Sequence, residues 1–553
     1  MRGLMMDIPL LVSSIIDYAA QCHGDVVVAS RELDDQIHRY TYADVHGRSK
    51  RLAQAVERLG VRQGDVVGAL AWNTSRYLEC FYGISGMGAA LHTINPRLFP
   101  EQLVYIINHA EDRWLCVDRG TLALAEQLAP ELTTVQGYIW MDDPAARPGN
   151  TTLPSLLDYE GLLAAEDGAY EWPLFDEREA STICYTSGTT GNPKGVVYSH
   201  RAAVLHALTF CNQEFIGGHV NGATECYLPF APLFHGNGWM MPYVAPMTGS
   251  RLVLPGRNFD ADKLYELIES EGATVAAGVP TIWLLLIDYI QQNDLRFSTL
   301  RAALMSGSKP PRSLVEAMEL TYGIDTAQVW GMTEALTAGQ AGLRQGLDKL
   351  SGDARIDIKM RGGRVAFGSQ YKIVDDDGNI LPWDGESTGH LLVRGNRVAS
   401  GYLKDGGGAP AAMGGATGVK DGWLHTGDIA AMHPGGYVEL ADRSKDVIKS
   451  GGEWISSVEV ENAAMGHPDI FEAAVIAAEH PKWQERPILI AVLREGATVT
   501  GAEILAWLGD KIATWWLPDD VVFVDELPHT GTGKVHKLIL REQFVDYKLP
   551  NIG

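Results

Sequence analysis

Residues 186–195 read TSGTTGNPKG and sit between two β-branched, apolar stretches, STICYT and GVVYSH. Glycines let backbone N–H groups turn toward an anion, Thr186, Ser187, Thr189 and Thr190 add hydroxyl donors, and Lys194 adds a full positive charge. Such a loop suits phosphate. It is not a Walker loop, which requires G-x-x-x-x-G-K-[ST] between a strand and a helix, because Gly188 and Gly191 are three apart and Gly195 follows the lysine. Both flanks read as strands, so a flap joining two strands is expected, with no helix dipole directly behind its glycines. Composition alone leaves a solvated Gly/Ser/Thr turn open.

Six further segments carry side chains that could do chemistry. LPFAPLFHGNGW holds His235 and Trp239, SGSK ends at Lys309, and QVWGMTE ends at Glu334. GWLHTGD supplies Asp428, DRSKDVIKSGGEWIS supplies Arg443, Lys445 and Lys449, and LPHTGTGKVHK supplies Lys534 in a glycine-flanked loop. Taken singly, each has an ordinary structural reading. A Glu after Thr is a helix-entry carboxylate, Thr-Gly-Asp is a turn, a His among aromatics and a lone Trp pack in a core, and a glycine-flanked Lys is a solvated surface charge.

In this order along the chain, and together with YTSGTTGNPKGVVYSH, the segments closely resemble the signature of the acyl-adenylate-forming superfamily. That superfamily comprises acyl-CoA synthetases, firefly luciferase and the adenylation domains of peptide synthetases. Within it the likeness is greatest to bacterial medium-chain fatty acid and 3-(methylthio)propionate CoA ligases, through MMDIPLLVSSIIDYAAQCHGD, FHGNGW and SGGEWISSVE. The resemblance implies a carboxylic acid substrate, with ATP, Mg2+ and CoA. A carboxylate is a poor electrophile, so it first attacks the α-phosphate of ATP, releases pyrophosphate and becomes an acyl-AMP, which the thiol of CoA then attacks. Both reactants of the first step are anions, so positioning and positive charge matter more than proton transfer.

The resemblance also implies a role for each position. Thr186, Ser187, Gly188, Thr189, Thr190, Gly191 and Lys194 would cradle the β- and γ-phosphates; Glu334 would hold Mg2+, and Thr333 would touch the α-phosphate. Ser308, Lys309, Gln328, Val329, Trp330, Gly331 and Met332 would surround adenine, with Trp330 standing where many relatives carry Tyr. Asp428 and Arg443 would bind the ribose, a carboxylate being able to accept both hydroxyls. Lys534 would reach the α-phosphate and the carboxylate. His235 would gate an acid pocket walled by Trp239, Gly307 and Gly331. After rotation of the C-terminal domain about Lys445, Lys449, Gly451, Gly452 and Trp454 would line the path of the CoA arm. Other readings are an enzyme that loads a carrier protein, a luciferase-like oxygenase and a catalytically silent nucleotide sensor. Against the first stand the short stretch after Lys534 and the absence of a carboxylate from Pro229 to Val244 that could pair a substrate ammonium. The joint presence of Lys194, Glu334, Asp428 and Lys534 speaks against the last.

The elements that must hold these residues are legible in the pattern. At 553 residues, 46% apolar and 21% charged, the chain is expected to form two or more domains of an ordinary globular protein. Helices alternate with short apolar strands through the first two thirds, as in TYADVHGRSKRLAQAVERLG followed by DVVGALAW, the pattern of an α/β domain with largely parallel sheets. Thr41 and Asp44 have capping-box spacing and Gly60 is a stop. From about Arg364 a β-rich subdomain is expected, with a hairpin turn at Asp377-Gly378, and 404–422 reads as an exposed loop. The large N-terminal domain is expected to end at Arg443, and 444–553 to form a small, mobile α+β domain with Ser456 capping a helix. Cys22, Cys80, Cys116, Cys184, Cys211 and Cys226 lack C-x-x-C spacing and read as reduced core thiols. A net charge of −24 argues against nucleic-acid partners, and no apolar stretch is long enough to span a membrane, so a cytoplasmic enzyme is expected, with a homodimer by family analogy.

Overall fold

The computed structural model describes every residue except Arg2, 187–191, 213–221, Ala338, Ala341, 405–417, Gly452, 531–533 and 551–553. The short apolar runs of the first two thirds of the chain assemble into two seven-stranded sheets. In spatial order the first contains Leu156–Asp158, Gly137–Trp140, Asp112–Val117, Val66–Leu70, Ala90–Ile94, Ala180–Tyr185 and Gly195–Ser199. The second contains Asp325–Gln328, Ala302–Met305, Val275–Gly278, Cys226–Pro229, Arg251–Leu254, Val27–Arg31 and Ile37–Thr41. Each sheet is parallel except for its last pair. Parallel strands are covered on both faces, which is why strands such as Val66–Leu70, Ala90–Ile94 and Val275–Gly278 are buried along nearly their whole length rather than at alternate residues.

One apolar cluster contains residues from both sheets, among them Val67, Ile139, Tyr227 and Val275, and ties them together. The helix Tyr42–Arg58 is part of it. Thr41 and Asp44 close a capping box at its start, and the chain turns away at Gly60, whose φ of 92° only glycine adopts cheaply. Its Leu52 packs so closely on the helix Ser75–Gly86 that a Cβ on Gly83 would come within 2.7 Å of it.

The β-rich subdomain is an antiparallel sheet of Ser369–Val374, Thr388–Gly395, Trp423–Met432, Gly418–Lys420 and Val438–Arg443. The turn at Asp377-Gly378 is present, with Gly378 at φ 87°, but it closes only the isolated bridge Val374–Ile380. Pro382 follows and has no N–H to continue a ladder, so Ser369–Val374 finds its partner strand only at Thr388–Gly395.

The remaining chain forms a five-stranded sheet from Ile448–Ser450, Glu453–Ile455, Ile470–His480, Gln484–Leu493 and Asp520–Phe523, with two apolar clusters of its own. Ser456 accepts from the N–H of Glu459 at the start of the helix Ser457–Met465. The architecture is therefore the expected one: a large α/β portion, a β-rich subdomain and a small α+β unit. Arg494 of the small unit pairs with Asp288 of the large one at 2.6 Å.

Among the described residues no helix is long and apolar enough to cross a membrane. All six cysteines are unpaired, but only Cys80, Cys116, Cys184 and Cys226 are buried. Cys22 is a correction to the expected core thiols: it is exposed, because it is the last residue of the helix Ser13–Cys22, whose buried face is Ile15, Ile16 and Ala19.

Candidate active site

Four neighbouring strands of the second sheet, Cys226–Pro229, Val275–Gly278, Ala302–Met305 and Asp325–Gln328, are parallel, so their carboxyl ends open on the same edge. In open α/β sheets that edge is where ligands bind. Here it floors a cavity of about 500 Å3 whose other walls come from the phosphate-type loop, the β-rich subdomain and the small C-terminal unit. Three of the four strand ends run directly into sequence-predicted residues. His235 and Trp239 follow the first, Gly307, Ser308 and Lys309 the third, and Val329, Trp330, Gly331, Met332, Thr333 and Glu334 the fourth, and all of them line the cavity.

The loop after Ala180–Tyr185 returns as Gly195–Ser199, antiparallel, so it joins two strands as the sequence implied. Its neck is closed by two hydrogen bonds: the Thr186 N–H donates to the Lys194 carbonyl at 2.9 Å, and the Lys194 N–H donates to Thr186 Oγ1 at 3.2 Å. Thr186 and Lys194 line the cavity. Ser187, Gly188, Thr189, Thr190 and Gly191 lie outside the described residues.

Tyr402 joins this loop to Glu334, a link the sequence did not reveal. Lys194 Nζ lies 5.0 Å from the centre of the Tyr402 ring, and the Tyr402 hydroxyl donates to Glu334 Oε1 at 2.6 Å. The backbone holds Glu334 as well, its carbonyl accepting from Ala399 N–H at 2.7 Å, while Tyr198 donates to the Thr333 carbonyl at 2.6 Å. Glu334 is 7% exposed, and its Oε2 takes no hydrogen bond among the described residues. No group of three or more His, Cys, Asp or Glu suited to a metal occurs among them. One anchored carboxylate with a spare oxygen fits Mg2+, which keeps several waters and takes its remaining oxygens from substrate phosphates.

Asp428 and Arg443 sit opposite one another in register on antiparallel strands. Arg443 Nε meets Asp428 Oδ1 at 2.8 Å, and the indole Nε1 of Trp330 donates to Asp428 Oδ2 at 2.9 Å. Trp330 is 4% exposed with Tyr371 edge-on to its ring, so it fixes the carboxylate as well as lining the cavity. The buried Gln328 Oε1 has no hydrogen-bond partner among the described residues, and Gln328 belongs to the same wall. Lys309 pairs with Glu439 at 3.7 Å.

Lys534 enters from the small unit. A Cβ on Gly307 would lie 3.1 Å from its Cε, so only glycine, here at φ 99°, leaves that passage open. Burial, and then the neighbouring Arg443, push the Lys534 ammonium down to about 8 against the pull of Asp428. Burial and Lys534 in turn push His235 down to about 3, leaving it a neutral imidazole. Lys445 lines the cavity; Lys449 and Trp454 do not, and Lys449 is exposed with its N–H bound to Glu485 at 2.7 Å. Gly451, at φ 61°, lies against Trp483, and Gly452 is outside the described residues. An apolar cavity of about 340 Å3 adjoins the first at His235, Trp239, Thr281 and Leu284 and is closed by Phe471, Glu472 and His529 of the small unit.

Tyr402 and His206 are cavity residues that sequence reasoning missed, and no spacing or motif marked either of them. Comparison with known proteins gives this geometry its context. A family described as AMP-binding enzyme matches residues 16–403, and one described as AMP-binding enzyme C-terminal domain matches 459–534. The chain is 44% identical to a 3-methylmercaptopropionyl-CoA ligase of Ruegeria lacuscaerulensis over 99% of both chains. It is 41% identical to a medium-chain-fatty-acid–CoA ligase of Ectopseudomonas oleovorans over 99% of this chain and 98% of the other. The crystal structure of an anthranilate CoA ligase in complex with anthranoyl-AMP shares the fold, with a TM-score of 0.84 at 24% identity over 98% of this chain and 99% of that one.

Proposed function

The chain belongs to the AMP-binding enzyme family, and from that membership we infer the work of its cavity: joining a carboxylic acid to CoA through an acyl-AMP, with AMP and pyrophosphate released. It is an acid:CoA ligase that uses ATP, Mg2+ and CoA. The observation that carries the reading is the meeting of Lys534, the Asp428–Arg443 pair and the Tyr402-held Glu334 around one cavity, since these groups come from three separate parts of the chain.

In the proposed division of labour, the loop 186–194 takes the β- and γ-phosphates and Glu334 takes Mg2+ through its spare oxygen. Asp428 takes the ribose hydroxyls, its orientation set by Trp330 and Arg443. Adenine lies against Gly307–Lys309 and Gln328–Met332. Mg2+, when bound, neutralises phosphate charge. Lys534 brings a full charge to the α-phosphate oxygens as the acid attacks, and in the buried cavity that charge is only weakly screened. His235, neutral, neither attracts the acid's carboxylate nor competes with Lys534 for it. Lys449, Gly451, Gly452 and Trp454 would serve thioester formation after 444–553 rotates about Lys445, with the domain boundary at Arg443.

For the acid we propose a short- to medium-chain aliphatic acid, 3-(methylthio)propionate included. The near-equal likeness to the two bacterial ligases and an apolar side cavity of about 340 Å3 support it. A cytoplasmic location and a homodimer belong to the same proposal. The test is AMP release with CoA across C2 to C12 acids, 3-(methylthio)propionate and aromatic acids. Turnover confined to aromatic acids, or acid-dependent AMP release that needs no CoA, would refute it.

A further inference from the structure

Five successive residues, Gly236 to Met240, have φ between 44° and 61°, a left-handed turn. A residue with a Cβ clashes with the following carbonyl in that region, so Gly, Asn and Asp visit it singly, yet here Trp239 and Met240 adopt it as well. Such a turn persists only where its surroundings hold it. Reversal of φ at Asn237 would send the chain after it in another direction, and with it the Trp239 indole, which is 8% exposed and walls both cavities.

Asn237 supplies the hold. Its side chain is fully buried and bridges two neighbouring strands of the first sheet: Oδ1 accepts from the Thr182 hydroxyl, and Nδ2 donates to Thr93 Oγ1 at 3.3 Å. Just ahead of the turn, the Cys184 thiol donates to the Phe234 carbonyl at 3.6 Å. Within the turn the Gly238 N–H donates to the His235 carbonyl at 3.0 Å, and the Met240 N–H to the Asn237 carbonyl at 3.1 Å. The turn follows a strand of the second sheet, so Asn237 is where it is pinned to the first. Thr182 and Thr93 are 1% and 2% exposed, so water does not replace either contact, and losing one leaves a buried polar atom unpaired.

We propose that Asn237 is a positioning residue that sets acid length through Trp239: clamped by Thr182 and Thr93, it holds the left-handed turn and thereby fixes how long a tail the indole admits. Asn237 itself lines neither cavity. The inference rests on the reading of Trp239 as a wall of the acid pocket.

Asn237→Gly removes the clamp and leaves a residue at ease with φ 44°, so backbone strain does not confuse the result. In kcat/KM for AMP formation with CoA, the ratio of decanoate to hexanoate should rise about tenfold over the wild type, the gain from burying roughly two more CH2 groups. Trp239→Ala should move the ratio in the same direction, and KM for ATP should change little. In the double variant Asn237→Gly/Trp239→Ala the two shifts should not add, because both reach the acid through one indole. Thr182→Val, which replaces the hydroxyl by a methyl of like size, should raise the ratio as well, and Thr182→Ser, which keeps the donor, should retain the wild-type value. If Asn237→Gly does not fold, Thr182→Val against Thr182→Ser decides alone. An equal loss with every acid in Asn237→Gly, additive shifts in the double variant, or a wild-type ratio in Thr182→Val overturns the inference and leaves the ligase reading intact. If Trp239→Ala itself leaves the ranking of acids unchanged, Trp239 is not a pocket wall, and the inference falls with that reading.

Discussion

Lys534 should give the adenylation half-reaction an alkaline limit near pH 8. Its ammonium is pushed from 10.5 to about 8 by burial and by Arg443. The sign follows from the role: the proposed function needs the charged form, which is complete below the depressed value and lost as pH rises through it. At that value the lysine is about nine-tenths charged at pH 7 and about one-tenth at pH 9. Acid-dependent pyrophosphate release, measured as kcat/KM for ATP from pH 6.5 to 9.5, should therefore fall about tenfold between pH 7 and 9, because this parameter reports the free enzyme. The limit on kcat should lie higher, since bound triphosphate favours the ammonium. Two substitutions shift the limit in opposite directions. Arg443→Met removes a like charge and should raise it, while Asp428→Asn removes an attraction and should lower it. Lys534→Ala should abolish the limit and slow acyl-AMP formation by about 100-fold or more, leaving conversion of supplied acyl-AMP and CoA largely intact. A rate flat to pH 9.5 in the wild type, or an alkaline limit that survives in Lys534→Ala, refutes the assignment.

Tyr402→Phe removes the hydroxyl that donates to Glu334 at 2.6 Å, a charge-assisted bond of about 1.5–3 kcal/mol, so Mg2+ titration of pyrophosphate release should show about ten- to a hundredfold weaker apparent affinity. Unchanged Mg2+ dependence would separate Glu334 from the metal. Trp239→Ala should open the wall shared by the two cavities and move preference toward longer acids by up to about 0.8 kcal/mol per CH2 accommodated; an unchanged ranking across the C2–C12 series would remove Trp239 from the pocket. Lys445→Pro, by locking φ at the proposed hinge, should preserve single-turnover pyrophosphate release while thioester formation falls by orders of magnitude, and Lys445→Ala should be mild. Quench-flow of the two half-reactions decides this, wild-type thioester formation in the proline variant being the result that excludes a hinge at Lys445.

Local signals in the sequence determined much of this molecule. Capping at Thr41 and Ser456, the two-strand flanks of the 186–194 loop and the alternation of helices with apolar strands depend on neighbours a few residues apart, and each is found where the pattern placed it. The turn at Asp377-Gly378 was legible too, but its strand partner was not, because pairing depended on where Pro382 ended the ladder. The motif residues were visible individually, whereas their company was decided by the tertiary structure. Asp428 and Arg443 face each other only through strand register, and Trp330 reaches Asp428 across 98 positions of sequence. Tyr402 over Lys194 and Thr182 against Asn237 join elements that no spacing relates, the latter pair 55 positions apart. A hydrogen bond or a buried charge depends on distance and water exclusion. Both are properties of how the sheets and the small unit close around the cavity, so the sequence could name the groups while only the fold could set their protonation and their partners.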